Sequence, residues 1–260
     1  MTVHVATALA GLTANVQKSV NSVFRGDILL ANGSVRRGFI KDLDPRQFGN
    51  ELLVAALAER LNVTVPEVAI VRIPSGISSA FQMIPASNGD GHIAFCSIDA
   101  EGSTVAQIIN SGGDEAATYE EIRKNPGLGR MYGLDTWVAN TDRHRNNLIL
   151  RGDGKVFLID HGHCFSGPSW TPSDLIAGDE YVNRLRHWLT PRLSRDDKDH
   201  AMADINALVA SMMGEDVQTI INDCFASHMY GANDSDAIVG FLENRVAHVV
   251  QLSAKSLETI

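Results

Sequence analysis

The sequence predicts an α+β chain of two lobes, a small mixed β/α lobe over 1–98 and a larger, mainly helical lobe over 99–260. Three observations predict it. Runs rich in β-branched residues crowd the first hundred positions. Helical periodicity dominates beyond about residue 103. One pair of short strands, 148–151 and 156–159, interrupts that helical half. A cleft between two such lobes is the default place for a site.

Phe24 to Leu30 and Val35 to Lys41 flank Asn32-Gly33, a turn pair that supplies the positive φ of a tight hairpin. Asp44-Pro45 opens a helix, the Asp as cap and the Pro at its first position. Leu53, Leu57 and Leu61 line one face of that helix. Val68 to Ile73 reads as a buried strand, Pro74 to Gly91 mostly as loop, and Ile93 to Ile98 as another strand. Helices are expected over about 103–110, 114–123 and 128–139, then over most of 196–260. Met131, Leu134 and Val138 have the spacing of core positions.

The apolar fraction is 44 % and the charged fraction 20 %, an ordinary globular balance. With 22 basic and 31 acidic residues the net charge is −9, which argues against direct nucleic-acid binding. Cys96, Cys164 and Cys224 are far apart and lack C-x-x-C spacing, so reduced thiols are expected. No Lys or Arg precedes Lys18, and no apolar run reaches membrane-spanning length. These features give a cytoplasmic expectation with no membrane insertion.

The embedded hairpin is bracketed by polar residues that packing does not require. Asn140-Thr141-Asp142-Arg143-His144-Arg145-Asn146-Asn147 precedes it, and Asp160-His161-Gly162-His163 follows. A hairpin returns the chain to its start, so Asn147 and Asp160 should lie side by side. Both offer the oxygen ligands that a hard cation such as Mg²⁺ takes. Asp142, five residues before Asn147, is placed to act beside that metal. Lys41 at a strand end and Glu51 on the following helix complete the layout of phosphoryl transfer: cation on phosphate, two metal ligands, and a base for the acceptor hydroxyl. Glu59 and Asp44 compete with Glu51 for Lys41. His161, His163 and Cys164 lack a fourth partner at zinc spacing.

Asp142-Arg143-His144-x-x-Asn147, followed by Ile159-Asp160-x-Gly162-His163, resembles the phosphatidylinositol 3/4-kinase and HipA-like kinase superfamily. In that superfamily the order is Asp-Arg-His, where conventional protein kinases carry His-Arg-Asp. Phe39-Ile40-Lys41 with Asn50-Glu51-Leu52, and Val65-Pro66-Glu67-Val68, resemble the compact bacterial HipA-like kinases. The resemblance spans roughly 20–165. Two features depart from the kinase pattern. Asp160-His161-Gly162 stands where Asp-Phe-Gly is usual, and no G-x-G-x-x-G loop is present, which leaves the phosphates to Thr13–Ser22.

The resemblance implies a bilobal, protein-kinase-like fold with ATP and Mg²⁺ in the cleft. Adenine would rest against a hinge at Cys96, Ser97, Ile98 and Asp99. Lys41 would hold the phosphates and Glu51 would position Lys41. Asn147 and Asp160 would bind Mg²⁺, Asp142 would be the base, and His144 would brace the loop by hydrogen bonds. A protein Ser/Thr hydroxyl is the expected acceptor, and a regulatory protein partner is compatible with it. The alternatives are a lipid or small-molecule kinase, and a nucleotide-binding pseudokinase or AMP-transferase module. Residues 161–183 contain no Lys or Arg but include Asp174, Asp179 and Glu180. That run favours a neutral or basic peptide over a phosphoinositide.

Overall fold

The computed structural model describes residues 3–14, 22–87 and 89–260. The N-terminal strands are β1 (His4–Ala8), β2 (Thr13–Ala14), β3 (Ser22–Leu30), β4 (Val35–Asp42), β5 (Val68–Ile73) and β6 (His92–Ile98). They form one sheet in the order β1-β5-β6-β4-β3-β2, and β1 also pairs with β3, so the sheet closes into a barrel. The hairpin forms as expected, with Gly33 at φ 84° in its turn. Strand β1 is one of the elements that sequence reading missed. It runs parallel to β5 and antiparallel to β3.

Alternation along two neighbouring strands sorts their side chains between two cores. Ile40 of β4 lies opposite Cys96 of β6, and both point into the barrel with Ile28, Ala69 and Val71. The next pair in register, Lys41 and Phe95, emerges on the outer face. Helix α1 (Pro45–Arg60) covers that face. Asp44 caps it by accepting from the amides of Arg46 and Gln47, with Pro45 in its first turn. Phe48, Leu52, Leu53 and Leu57 are fully buried and join Phe95 in the larger core, which continues into the C-terminal helices. Each such side chain contributes about 1.5–3 kcal/mol of transfer free energy. This shared core seats α1 against both the barrel and the helices.

The C-terminal part begins with β7 (Ser103–Thr104), then α2 (Val105–Asn110), α3 (Glu115–Arg123) and α4 (Leu128–Trp137). The helix expected from 103 therefore starts two residues later, because Ser103 and Thr104 pair with the embedded hairpin. That hairpin is β8 (Leu148–Leu150) and β9 (Val156–Leu158), in register Leu148 to Leu158. Beyond it lie α5 (Leu185–Trp188), α6 (Arg195–Met212), α7 (Val217–Asp223), α8 (Ala232–Arg245) and α9 (Val249–Leu257). Helices α4, α6 and α9 pack on one another. Gly129 of α4 lets that packing close, since a Cβ there would stand 2.3 Å from the Ala201 carbonyl.

Candidate active site

Lys41 leaves the outer face of β4 beneath α1 and meets two carboxylates. Its ammonium is 2.5 Å from Glu51 Oε1 and 3.0 Å from Asp160 Oδ1, and it lies 5.6 Å from the centre of the Phe95 ring. Glu51 is the partner, as expected; Asp44 is occupied with capping α1. Burial would disfavour both charges. The two carboxylates outweigh it and raise the Lys41 pKa. Burial likewise opposes the Glu51 carboxylate, but Lys41 and the bonding from His161 hold it well below the usual range. The other Glu51 oxygen accepts from the His161 backbone amide at 3.0 Å.

That last bond ties α1 to the segment after the hairpin. Asn50, also fully buried, strengthens the tie. Its amide donates to Gly162 O at 2.9 Å, and its oxygen accepts from Tyr230 and Trp170. Two adjacent polar residues are thus buried in an apolar helix because each is satisfied by the facing chain. His161 occupies the position where Asp-Phe-Gly would place its Phe. It is 3 % exposed, and burial lowers its pKa. Asp160 just before it has φ 62°, in the left-handed region.

Arg143 organises the loop before the hairpin. Its guanidinium grips Asp135 of α4 with two nitrogens, at 2.8 and 3.0 Å, and both side chains are fully buried. A third nitrogen donates to Asn147 O at 2.8 Å and Ile159 O at 2.6 Å, the two ends of the hairpin. The expected juxtaposition of Asn147 and Asp160 follows, since Ile159 N also donates to Asn147 O. The bracing assigned to His144 belongs to Arg143 instead: among the described residues the His144 ring makes no hydrogen bond, and its Nε2 is 3.6 Å from Asp142. Only the tertiary fold brings Asp135 beneath the loop.

Asn147 donates its amide to Asp142 O at 2.8 Å, which leaves its oxygen as the group to offer a cation. With the partly exposed Asp160 it makes a pair of hard oxygen donors. Among the described residues no three His, Cys, Asp or Glu side chains are grouped to hold a metal ion by themselves. Asp142 opens toward solvent with Arg184 Nη1 at 2.7 Å from Oδ1. His144 and His163 face its other oxygen at 3.6 and 3.9 Å.

Among the described residues, the four expected at the hinge make no hydrogen bond or ion pair with this cluster. Cys96 is fully buried in the barrel, close enough to Gly38 that a Cβ there would meet its sulfur, and burial pushes its thiol up to about 12. Ile98 is buried with it, Ser97 is half-buried, and Asp99 pairs with Arg25 at 2.7 Å. Ile98 N and Asp99 N donate to Glu67 O and Arg37 O. From β6 it is Phe95, beside Lys41, that reaches the site. Of Thr13–Ser22, residues 15–21 lie outside the described residues, and Thr13, Ala14 and Ser22 sit on β2 and β3.

Two chain-distant regions thus converge: a buried Lys-Glu pair on a barrel face, and a loop carboxylate with the amide-carboxylate pair at the hairpin base. That is a kinase-like arrangement on a mixed α+β chain. Residues 128–175 match the family of phosphatidylinositol 3- and 4-kinases. The matched span runs from α4 through the Asp142 loop and Asp160. Comparison with curated proteins gives no match. Over this span the chain is similar to kinases, which are phosphotransferases that use ATP and typically a divalent metal. Among the described residues no helix is long and apolar enough to cross a membrane.

Proposed function

We propose that this chain is a HipA-like protein serine/threonine kinase of the cytoplasm, with a nucleotide-binding lobe ending near residue 98. The observation that carries the reading is the contact of Lys41 with both Glu51 and Asp160, the latter 119 residues away. A buried ammonium held by a helix carboxylate and by the carboxylate at the hairpin base is the cation that the phosphates of ATP would meet.

In the reaction, the acceptor oxygen forms a bond to the γ-phosphorus while the bond from that phosphorus to the β,γ-bridging oxygen breaks. ADP leaves, and the hydroxyl proton passes to the Asp142 carboxylate. Glu51 keeps Lys41 charged and aimed. Arg143 holds Asn147 and Ile159 so that Asp142, Asn147 and Asp160 stay in one loop cluster. A divalent cation held by Asn147 and Asp160 would neutralise phosphate charge. Adenine would reach backbone beyond β6, because the Cys96 and Ile98 side chains face the barrel interior.

The match over 128–175 favours a second reading, transfer to a lipid or small-molecule hydroxyl. Parallel incubations with γ-labelled and α-labelled ATP, a mixed Ser/Thr peptide library and phosphoinositide liposomes decide among them. Label from γ-ATP on peptides is the expected result. Label from α-ATP would mean AMP transfer, label on lipid alone would establish the second reading, and binding without transfer would leave a pseudokinase.

A further inference from the structure

Arg184 follows the acidic stretch 161–183 in sequence, yet the fold returns its guanidinium to 2.7 Å from the Asp142 carboxylate. It is half exposed, and Asp142 is its only carboxylate partner among the described residues. The neighbouring cations are taken: Arg186 pairs with Glu180 and Glu258, Lys255 with Glu180, and Arg192 with Glu115. Some of the segment's acids are likewise answered. Asp174 accepts from the Thr171 amide and hydroxyl, and Glu180 sits between Arg186 and Lys255. The negative field expected of this run therefore does not reach the base unopposed.

The position of Arg184 is built. Buried Arg245 donates to Ala177 O at 2.7 Å, to Asp179 O at 3.0 Å and to Thr136 O at 2.8 Å, and its guanidinium stacks on Tyr181. Tyr181 in turn accepts from Ile176 N. Asn183, 3 % exposed, accepts from Leu185 N and so starts α5 directly after Arg184.

Resting on the kinase reading above, we infer that Arg184 selects the acceptor: the protein hydroxyl presented to Asp142 is flanked by a carboxylate, so the substrate is an acidic peptide segment. One guanidinium nitrogen holds Asp142, and the half-exposed head keeps further N–H groups to donate. An Asp or Glu beside the acceptor hydroxyl would bond to them in the paired geometry guanidinium favours, whereas a Lys would be repelled. A single guanidinium, already shared with Asp142, suits one further carboxylate. A polyanionic headgroup on an anionic surface draws on several.

The test measures transfer from γ-labelled ATP to Ser peptides that differ only in Asp, Ala or Lys flanking the Ser, beside phosphoinositide liposomes. The enzymes are the natural chain, Arg184→Gln and Arg184→Glu. The natural chain should prefer the Asp peptide over the Ala peptide by about fivefold in kcat/KM, mainly through KM. Arg184→Gln should erase that ratio, and Arg184→Glu should turn the preference toward Lys. Preferences that stay the same in all three enzymes, or a natural preference for Lys, would overturn the assignment of Arg184. Transfer to liposomes with none to peptides would overturn the peptide acceptor, and transfer to nothing would remove the kinase reading beneath it.

Discussion

The Lys41 ammonium lies 3.0 Å from the carboxylate of Asp160, a residue 119 positions further along the chain. The contact joins the barrel to the base of the embedded hairpin, and Glu51 completes it from α1 at 2.5 Å. Lys41→Met should therefore abolish transfer and weaken ATP binding through lost phosphate contacts. Equilibrium binding of a fluorescent ATP analogue checks the second effect apart from the first. Unchanged affinity would remove Lys41 from the nucleotide site.

Asp142 and Asp160 should separate by their effects. Asp142→Ala takes away the group that orients the hydroxyl and should leave Mg·ATP affinity close to that of the natural chain. Asp160→Ala takes away an oxygen ligand and should weaken Mg·ATP as well as abolish transfer. Isothermal titration of both variants is the measurement, and equal affinities would show the two roles to be misassigned.

Nucleotide should raise the melting temperature only with Mg²⁺ or Mn²⁺ present, because ligand bound to the folded state stabilises it by mass action. The donor pair Asn147 and Asp160 motivates the expectation. A thermal shift with ATP that persists in excess chelator would dismiss the cation from the site.

Asp135 and Arg143 carry the loop on a fully buried, two-point ion pair. Asp135→Ala leaves the guanidinium buried without its partner, at a cost of about 3–5 kcal/mol. Chemical denaturation should register a loss of that size. A change below about 1 kcal/mol would mean that water or a neighbour replaces Asp135.

Glu51 links the site to acid stability. Its folded pKa is depressed by Lys41 and His161 against the opposing effect of burial. Its contribution is therefore fully present above the unfolded value, about 4.3, and is lost as pH falls toward the folded one. Glu51→Gln should be less stable than the natural chain at neutral pH, and the gap should narrow below about pH 4. Stability curves that remain parallel across that range would contradict the depressed pKa.

Much of the site is legible in local sequence. Asp142, Asn147 and Asp160 could be read together because a hairpin with Gly152-Asp153-Gly154 at its turn must return its ends to one place, and the register Leu148 to Leu158 does so. The Asp44-Pro45 start of α1 and the Asn32-Gly33 turn were equally readable, since caps and tight turns depend on residues within a few positions of one another.

What the sequence by itself determined was thus the local structure: the hairpin, the capped helix, the loop motif and the side-by-side placement of Asn147 and Asp160. The tertiary structure decided which groups those elements meet. It selected Glu51 for Lys41 and brought Asp135 beneath Arg143. It closed the barrel by pairing β1 with both β3 and β5, turned Cys96 inward, and returned Arg184 to Asp142. The physical reason is range. Caps, turns and periodicity are short-range and repeat along the chain, whereas strand closure and buried ion pairs join residues far apart, and their partners exist only once the cores have packed.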